Sequence, residues 1–316
     1  MPAVAKVAAI DIGTNSVLLV IAATEASGPR PLLERATITR MGEGVDKTRQ
    51  LAPAAVERNL ACLRAYAADL REHGNPPLDV VGTSALRDAQ GAEEFLDEAE
   101  RILGVRPRVI AGDEEARLTF RGALSGLQLR GKLLVFDIGG GSTELIVGDA
   151  EEAKAAAPPR SRVSLDIGSV RLFERHVHSD PPRPEELASI EAQISAELDA
   201  AEPLRALAAG EPVTLVGVAG TVTTLKALEL GLVAYDAARV HGAVLTLSSV
   251  EALSAQLSAL SLAERVKLPG LEPKRADVIV AGALIVRELL RRAGAAQAVV
   301  SDRGVRFGLL EMLSSR

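Results

Sequence analysis

The sequence predicts an α/β protein whose two halves are built alike, and three observations support this prediction. Apolar runs of strand length alternate with longer stretches in which apolar residues recur at helical spacing. Residues 132–148, KLLVFDIGGGSTELIVG, have the pattern of a β-hairpin with three glycines at its tip. Residues 7–23 repeat that pattern, with Asp11-Ile-Gly in place of Asp137-Ile-Gly. The two copies indicate an internal duplication.

The bulk composition narrows the class of protein. The chain has 316 residues, which is enough for two domains. Its net charge of −6 argues against general binding to nucleic acid or a membrane surface, and the scarcity of aromatic residues argues against stacking on single strands. A lone cysteine, Cys62, excludes an internal disulfide and a thiolate metal cluster. No signal peptide and no apolar run of membrane-spanning length is found, so we expect a soluble, cytoplasmic protein.

The two hairpin tips are candidate phosphate sites. Glycines allow positive φ and let a ligand approach the backbone amides closely, and a cluster of amides is a natural seat for phosphate. The second tip is flanked by Asp137 and Glu144, which would repel a phosphate unless a divalent cation such as Mg²⁺ lay between. The alternative is a plain glycine hairpin with solvated acids.

The first half continues with short strands and longer helices. Residues 38–44, ITRMGEG, predict a strand that ends in a glycine turn, Pro53 opens a helix of about twenty residues, and residues 92–103 form another helix. Arg87 follows the strand Val80-Val81, at the kind of strand end where ligands collect in α/β sheets. Glu115 precedes a helix running to about Leu127. It either complements that helix's dipole or serves as a general base.

The second half follows the same alternation after the glycine hairpin. Residues 150–160 have the composition of an exposed hairpin or loop, and residues 164–171 predict a strand-to-helix turn. Residues 214–225 predict a strand, a glycine turn and a helix start, where Gly220 and Thr221 are candidate phosphate contacts. Helices are expected over 248–260 and 274–293, then a strand over 298–301 and a closing helix that packs on the first domain.

Six segments carry a resemblance to a known family: Asp11–Ser16, Gly82–Arg87, Ala111–Leu118, Asp137–Glu144, Gly217–Thr221 and Ser301–Arg306. Through them, and over essentially its whole length, the chain resembles the exopolyphosphatase / guanosine pentaphosphate phosphohydrolase family. The resemblance implies two actin-like (ribonuclease H-like) α/β domains with a cleft between them and duplicated β-hairpin phosphate loops. Residues 1–127 with a C-terminal helix of about 303–316 would form the first domain, and residues 128–302 the second.

The resemblance also implies roles for individual residues. Glu115 matches the glutamate that activates water, and Arg87 matches an arginine of the substrate cleft. The phosphate loops correspond to Gly13, Thr14, Asn15, Ser16, Gly139, Gly140, Gly141 and Ser142. Asp11, Asp137 and Glu144 match acidic residues around a metal ion, Mg²⁺ or Mn²⁺. Arg303 and Asp166 depart from what many relatives carry.

The implied activity is release of terminal orthophosphate from inorganic polyphosphate by a homodimeric enzyme. Hydrolysis of pppGpp is the alternative within the family, and a small-molecule kinase or a nucleotide-binding sensor on the same fold stays open. A polyanionic substrate needs a local basic path in an acidic protein. The candidates for that path are Arg87, Arg117, Arg121, Arg171, Lys267, Lys274, Arg275, Arg303 and Arg306.

Overall fold

The chain divides into two compact units, each with its own sheet. The computed structural model describes residues 5–25, 28–154, 157–207 and 212–314. Unit 1 comprises Met1–Ser125 and Gly304–Arg316, and unit 2 comprises Gly126–Arg303. The resemblance placed these divisions at 127/128 and 302/303.

Unit 1 is a five-stranded mixed sheet with helices on both faces. Its strands are β1 (Lys6–Ile12), β2 (Ser16–Glu25), β3 (Gly28–Ile38), β4 (Leu78–Gly82) and β5 (Arg108–Val109). Its helices are α1 (Val45–Thr48), α2 (Pro53–Glu72), α3 (Ser84–Asp88), α4 (Ala92–Leu103), α5 (Gly112–Leu124) and, at the end of the chain, α15 (Val305–Ser314).

Unit 2 is a six-stranded mixed sheet. Its strands are β6 (Lys132–Ile138), β7 (Thr143–Asp149), β8 (Ser161–Leu165), β9 (Thr214–Val218), β10 (Val244–Thr246) and β11 (Gln297–Val300). Its helices are α6 (Ala150–Lys154), α7 (Ser169–His176), α8 (Pro184–Ala200), α9 (Glu202–Leu207), α10 (Ala219–Glu229), α11 (Ala237–Val240), α12 (Leu247–Ala259), α13 (Leu262–Arg265) and α14 (Ile279–Arg292). A 3₁₀ turn covers Pro273–Arg275.

Strand order confirms the predicted duplication. Unit 1 has the order β3-β2-β1-β4-β5, and unit 2 has β8-β7-β6-β9-β11 with β10 added at the edge. In both units an antiparallel hairpin comes first, a third strand extends it, and the fourth strand runs parallel to the first. Both units are thus mixed sheets with helices, and the predicted α/β fold class is confirmed.

The sheet of unit 1 is buried on both faces because successive strand residues point to opposite sides. Ala8 and Ile10 of β1 belong to a cluster with the apolar residues of α2 and α4. Val7 and Ala9 belong to another with residues of α5 and α15, including Phe307. The closing helix therefore completes the core of the first unit.

Several elements depart from the sequence-based boundaries. Residues 150–154 form α6 instead of the expected loop, because the Asp149 carboxylate accepts the Glu151 amide (2.9 Å) and acidic residues occupy the first turn. The helix expected over 274–293 is a 3₁₀ turn followed by α14. Among the described residues, no helix is both long enough and apolar enough to cross a bilayer.

Candidate functional site

In the first hairpin loop, the carbonyls of Thr14 and Asn15 point towards residues 39–42. The Gly13 amide donates to the Ser16 carbonyl (3.0 Å) and closes the turn between β1 and β2. The Thr14 carbonyl accepts the Gly42 amide (2.8 Å), and the Asn15 carbonyl accepts the amides of residues 39 and 40 (3.0 Å each). A trans peptide points its N–H opposite to its C=O. The amides of Asn15 and Ser16 therefore face away from residues 39–42.

The second loop has the same architecture. The Gly139 amide donates to the Ser142 carbonyl at 3.0 Å. The carbonyls of Gly139 and Gly140 accept amides from the first residues of α7 at 3.0 Å, and Arg171 Nε donates to the Gly141 carbonyl at 2.6 Å. The amides of residues 140–142 consequently point away from α7, as three adjacent donors. Such a row of amides is suited to bind phosphate oxygens.

Gly168 makes this arrangement possible. A Cβ at this position would lie 2.3 Å from the Gly140 carbonyl oxygen, which belongs to the backbone and cannot move aside cheaply. The absence of a side chain therefore lets the N-terminus of α7 reach the loop. The sequence signal for this role was present, since residues 166–168 repeat the Asp-Ile-Gly of the two hairpins.

Two carboxylates of unit 2 lie side by side at the second loop. Asp137 on β6 is directly opposite Glu144 on β7, so the two side chains share one face of the sheet. Glu144 is only 7% exposed, and its Oε1 accepts hydrogen bonds from the hydroxyls of Ser142 (2.7 Å) and Ser164 (2.8 Å). Ser164 was not singled out from the sequence. These hydroxyls fix the orientation of the Glu144 carboxylate.

Asp11 holds the matching position in unit 1 without a neighbouring acid, because it pairs with Leu18 on β2. Its Oδ1 is buried and has no hydrogen-bond partner among the described residues. Burial raises the pKa of Asp11 to about 7, although the nearby Arg306 guanidinium opposes that rise. A buried, unsatisfied carboxylate oxygen favours either a bound proton or a bound cation.

Arg87 and Glu115, the two predicted catalytic residues, contact each other. Arg87 lies on α3 after β4, and Glu115 lies in the first turn of α5 after β5. Arg87 Nη1 donates to Glu115 Oε2 and to the carbonyl oxygen of Ile110, both at 3.0 Å. Ser84, at the start of α3, shares a 2.7 Å hydrogen bond with the Thr14 hydroxyl. The pair is thus connected to the first phosphate loop through one helix.

Gly220 and Thr221 begin α10 close to the second loop. The Thr221 hydroxyl donates to the carbonyl of Ile138, the residue before Gly139, at 3.3 Å. This hydrogen bond of Thr221 therefore stabilises the end of β6, which leads into the second loop. A Cβ on Gly220 would lie 2.1 Å from Nη1 of Arg275, so that guanidinium packs against the start of α10. The preceding residue, Ala219, has a φ of 68°, which is uncommon for a residue with a side chain.

Several of the candidate basic residues have carboxylate or carbonyl partners inside their own unit. Arg121 pairs with Glu311 at 2.7 Å and Arg306 with Glu34 at 2.6 Å. Arg171 bonds to Gly141 and lies 3.7 Å from Asp166, which is exposed. These three arginines have structural contacts, whereas Arg117 lies exposed on α5.

The donor set can be compared with what Mg²⁺ requires. No group of three or more His, Cys, Asp or Glu side chains within the described ranges is arranged to hold a metal ion. Mg²⁺, however, commonly takes one or two carboxylates and completes its shell with water and substrate phosphate. Asp137 and Glu144 in unit 2 and the unsatisfied Oδ1 of Asp11 in unit 1 fit that mode of binding.

The chain matches a family model and several known proteins over nearly its whole length. The model of the Ppx/GppA phosphatase family matches residues 20–315. Exopolyphosphatase 2 of Mycobacterium tuberculosis is 39% identical over 321 residues, covering 97% of this chain and 98% of the relative. A guanosine-5'-triphosphate,3'-diphosphate pyrophosphatase of Aeromonas hydrophila is 32% identical, covering 96% of this chain and 58% of the relative. The crystal structure of the Aquifex aeolicus Ppx/GppA family member has a TM-score of 0.80 and 34% identity, covering 99% of both chains.

Proposed function

The chain belongs to the Ppx/GppA phosphatase family, and from that premise we propose that it hydrolyses the terminal phosphoanhydride bond of inorganic polyphosphate. Its similarity to an exopolyphosphatase extends over 98% of that relative's length. The observation that carries the proposal is the 3.0 Å contact between Arg87 and Glu115, which holds a carboxylate base beside a phosphate-binding guanidinium.

Each loop can bind phosphate oxygens through its backbone amides. The amides of Asn15 and Ser16 in unit 1, and those of residues 140–142 in unit 2, are turned away from the segments that hold their carbonyls. Donors fixed in this way need no rearrangement when negative charge builds up on phosphate oxygens. Each unit therefore offers one loop of this kind.

Glu115 accepts a proton from the attacking water. The water oxygen forms a bond to the terminal phosphorus, the bridging P–O bond breaks, and the shortened chain leaves with the electron pair of that bond. Arg87 Nη1 orients the Glu115 carboxylate, and the guanidinium's remaining N–H groups bind the transferred phosphoryl group. The side chain of Glu115 is 12% exposed, so it is not sealed from solvent.

Asp137 and Glu144 in unit 2 would hold Mg²⁺ or Mn²⁺, and Asp11 is the corresponding candidate ligand in unit 1. When bound, such an ion neutralises phosphate charge and favours departure of the leaving phosphate. The hydroxyls of Ser142 and Ser164 hold the Glu144 carboxylate in one orientation, because they donate to its Oε1.

Release of the terminal phosphate of pppGpp is the second candidate. It is favoured by the pyrophosphatase of Aeromonas hydrophila, with which this chain shares 32% identity over 304 residues. The chain covers 58% of that relative, so the longer protein contains segments that this one does not match. Both substrates end in the same phosphoanhydride, and the loops described above suit either.

The test is phosphate release in Mg²⁺ from long-chain polyphosphate, short-chain polyphosphate and pppGpp in parallel. Loss of a general base costs roughly 10²–10⁴-fold in rate, so Glu115→Gln should lower turnover by that factor while substrate binding persists. Glu114→Gln is the matched control, since Glu114 is the neighbouring residue and pairs with Arg108 (2.8 Å) instead. EDTA should also abolish release, and Mg²⁺ or Mn²⁺ should restore it.

Three results would contradict the proposal in different ways. Turnover of Glu115→Gln within about threefold of wild type would remove Glu115 from the role of base. Preference for pppGpp would reverse the ranking of substrates. No release from any substrate, together with ATP consumption that requires a hydroxyl acceptor, would favour the kinase.

Two further parts of the proposal are the homodimer, which the family resemblance suggests, and the cytoplasmic location expected from the sequence. Light scattering coupled to size-exclusion chromatography distinguishes a monomer of 33.1 kDa from a dimer.

A further inference from the structure

A buried asparagine on α2 connects that helix to the segment that holds the first phosphate loop. Asn59 is completely shielded from solvent, on a helix face that packs apolar residues such as Leu63, one turn later, into the core of unit 1. Burying a carboxamide is unfavourable unless its polar atoms are paired. Both atoms are paired here, because Nδ2 donates to the Ala55 carbonyl and Oδ1 accepts the hydroxyl of Thr39, each at 2.8 Å.

Thr39, the residue directly after β3, uses every hydrogen-bonding group that it has. It is 1% exposed, and its hydroxyl donates to Asn59 Oδ1. Its carbonyl accepts Nε of Arg58 at 2.9 Å, so two consecutive residues of α2 fix both its side chain and its main chain. Its amide donates to the Asn15 carbonyl at 3.0 Å. The position of this amide is therefore determined by a helix of the core.

This contact orients one peptide of the loop. The Asn15 carbonyl and the Ser16 N–H belong to the same trans peptide, so they point in opposite directions. The amides of Thr39 and Arg40 both donate to that carbonyl at 3.0 Å. As long as they do so, the Ser16 amide is directed away from residues 39–42, towards the side on which phosphate is proposed to bind.

The protein alone leaves two unfavourable features at this contact. Arg40 has a φ of 52°, a left-handed conformation that a residue with a side chain rarely adopts. Asn15 is 8% exposed, and neither Oδ1 nor Nδ2 of its side chain has a hydrogen-bond partner among the described residues. Features of this kind persist at functional sites only where the surrounding contacts maintain them. The bonds of Thr39 to α2 are contacts of that kind.

We propose that Thr39 and Asn59 are positioning residues for the first phosphate loop: through the Asn15 carbonyl, they keep the Ser16 amide directed at a phosphate oxygen. Both are buried, so neither contacts the substrate itself. Their effect on turnover rests on the proposed function, whereas their hold on the loop does not.

Two substitutions of Thr39 separate the role of its hydroxyl from that of its volume. Thr39→Val keeps the volume but leaves Asn59 Oδ1 without its donor. It should raise KM for polyphosphate roughly fivefold, the scale of one hydrogen bond, with kcat changed by less than about twofold because the amide binds substrate and transition state alike. Thr39→Ser keeps the hydroxyl but removes a buried methyl group. It should lower the urea midpoint and yet retain the KM of wild type.

Thr37→Val is the matched control. Thr37 lies on β3, and its hydroxyl shares a 2.8 Å hydrogen bond with the hydroxyl of Tyr66 on α2. The substitution therefore removes the same kind of contact between strand and helix. Thr37 pairs with Val17 of β2, however, outside the loop. We expect this variant to have a lower urea midpoint and an unchanged KM.

Hydrogen exchange measures the hold on the loop without any turnover. In Thr39→Val, the peptide that contains residues 39–42 should exchange roughly fivefold faster than in wild type after correction for intrinsic rates, because the amides bonded to the Asn15 carbonyl are less firmly held. Thr37→Val should leave the exchange of this peptide unchanged.

Equal KM values for Thr39→Val and Thr37→Val, or for Thr39→Val and Thr39→Ser, would overturn the positioning role. Unchanged exchange of residues 39–42 in Thr39→Val would overturn the hold on the loop. A wild-type protein that releases no phosphate would instead contradict the proposed function, and the exchange comparison would still decide whether Thr39 holds the loop.

Discussion

At the scale of single residues, the two aspartates at matching strand ends have different surroundings. Asp137 shares its face of the sheet with Glu144, whereas Asp11 is opposite Leu18. Asp11 Oδ1 is buried and has no hydrogen-bond partner among the described residues. Burying this carboxylate in its ionised form costs electrostatic free energy, and protonation removes that cost. This difference predicts that Asp11, and not Asp137, makes the free energy of unfolding depend on pH.

In metal-free protein, Asp11→Asn should change how stability depends on pH. Burial raises the pKa of Asp11 from 3.8 to about 7, so the folded state binds more protons than the unfolded state between these values. The free energy of unfolding of wild type therefore falls as pH rises towards 7, and the asparagine variant lacks this component. Urea unfolding in EDTA between about pH 5 and 8 measures it. Parallel pH profiles for the two proteins would show that Asp11 is ionised throughout.

Gly168→Ala should damage the second phosphate loop. The new Cβ would lie 2.3 Å from the Gly140 carbonyl oxygen, so the loop and the start of α7 must separate. Because such overpacking costs roughly 1–3 kcal/mol, the protein should still fold, but its misplaced amides should raise KM and lower kcat. Steady-state kinetics and thermal unfolding, measured together, distinguish a displaced loop from a lost fold. Unchanged kinetics would mean that the loop tolerates the shift.

Some residue roles could not be read from the sequence because they depend on tertiary contacts. Glu115 and Arg87 were singled out separately, yet the sequence does not show that they touch, since they follow different strands. Thr221 was expected at the phosphate, but its observed hydrogen bond goes to Ile138. Ser164 gives no local signal, because only the pairing of β8 with β7 brings it to Glu144.

At the scale of elements, α5 and α15 pack unusually closely. A Cβ on Gly308 would lie 2.2 Å from the Leu118 carbonyl oxygen, and one on Gly122 would lie 2.0 Å from that of Gly304. Each helix thus contributes a glycine where the other's backbone approaches. The contact joins the end of the chain to a helix that carries Glu115.

Gly308→Ala should therefore destabilise unit 1, by about 1–3 kcal/mol for an overpacked interior position. Gly304→Ala is the matched control, since a Cβ there meets no atom within 4 Å and its φ is not left-handed. Urea unfolding followed by far-UV circular dichroism compares the two. Equal urea midpoints for the two variants would show that α5 and α15 can move apart without loss of stability.

Elements with local sequence signals were predicted well. The glycine hairpins have apolar strands on both sides of a turn, and α2 and α4 begin where Pro53 and Gly91 interrupt the chain. The strand expected from Ile38 onwards was wrong, because β3 covers Gly28–Ile38 and ends there. That segment mixes charged residues with two prolines and gives no clear strand signal. Its identity as a strand comes from pairing with β2.

At the scale of the whole molecule, unit 1 is assembled from both ends of the chain. Val305, Phe307, Leu309 and Leu310 of α15 are all nearly inaccessible to solvent within its core. Burying an apolar side chain of this size contributes roughly 1.5–3 kcal/mol, so the four together rival the ~5–15 kcal/mol stability of a typical domain.

A chain that ends at Arg303 should consequently fail to fold unit 1. Unit 2 keeps all of its own strands and its core cluster, so it should stay folded in the same molecule. Limited proteolysis with mass spectrometry is expected to yield a resistant fragment close to residues 126–303 and rapid cleavage before it. Protection of residues 5–125 in the shortened chain would contradict this dependence.

The discontinuity of unit 1 also sets an order of events during translation. The residues of β1 leave the ribosome before those of unit 2, yet the helix that covers one face of their sheet follows unit 2 in the sequence. Unit 2 has every part of its core available before that helix emerges. While unit 2 is being synthesised, the N-terminal part of unit 1 therefore has an apolar face of its sheet exposed. During this interval the nascent chain is prone to aggregation and needs a chaperone. Synthesis of unit 1 thus begins before that of unit 2 and is completed after it.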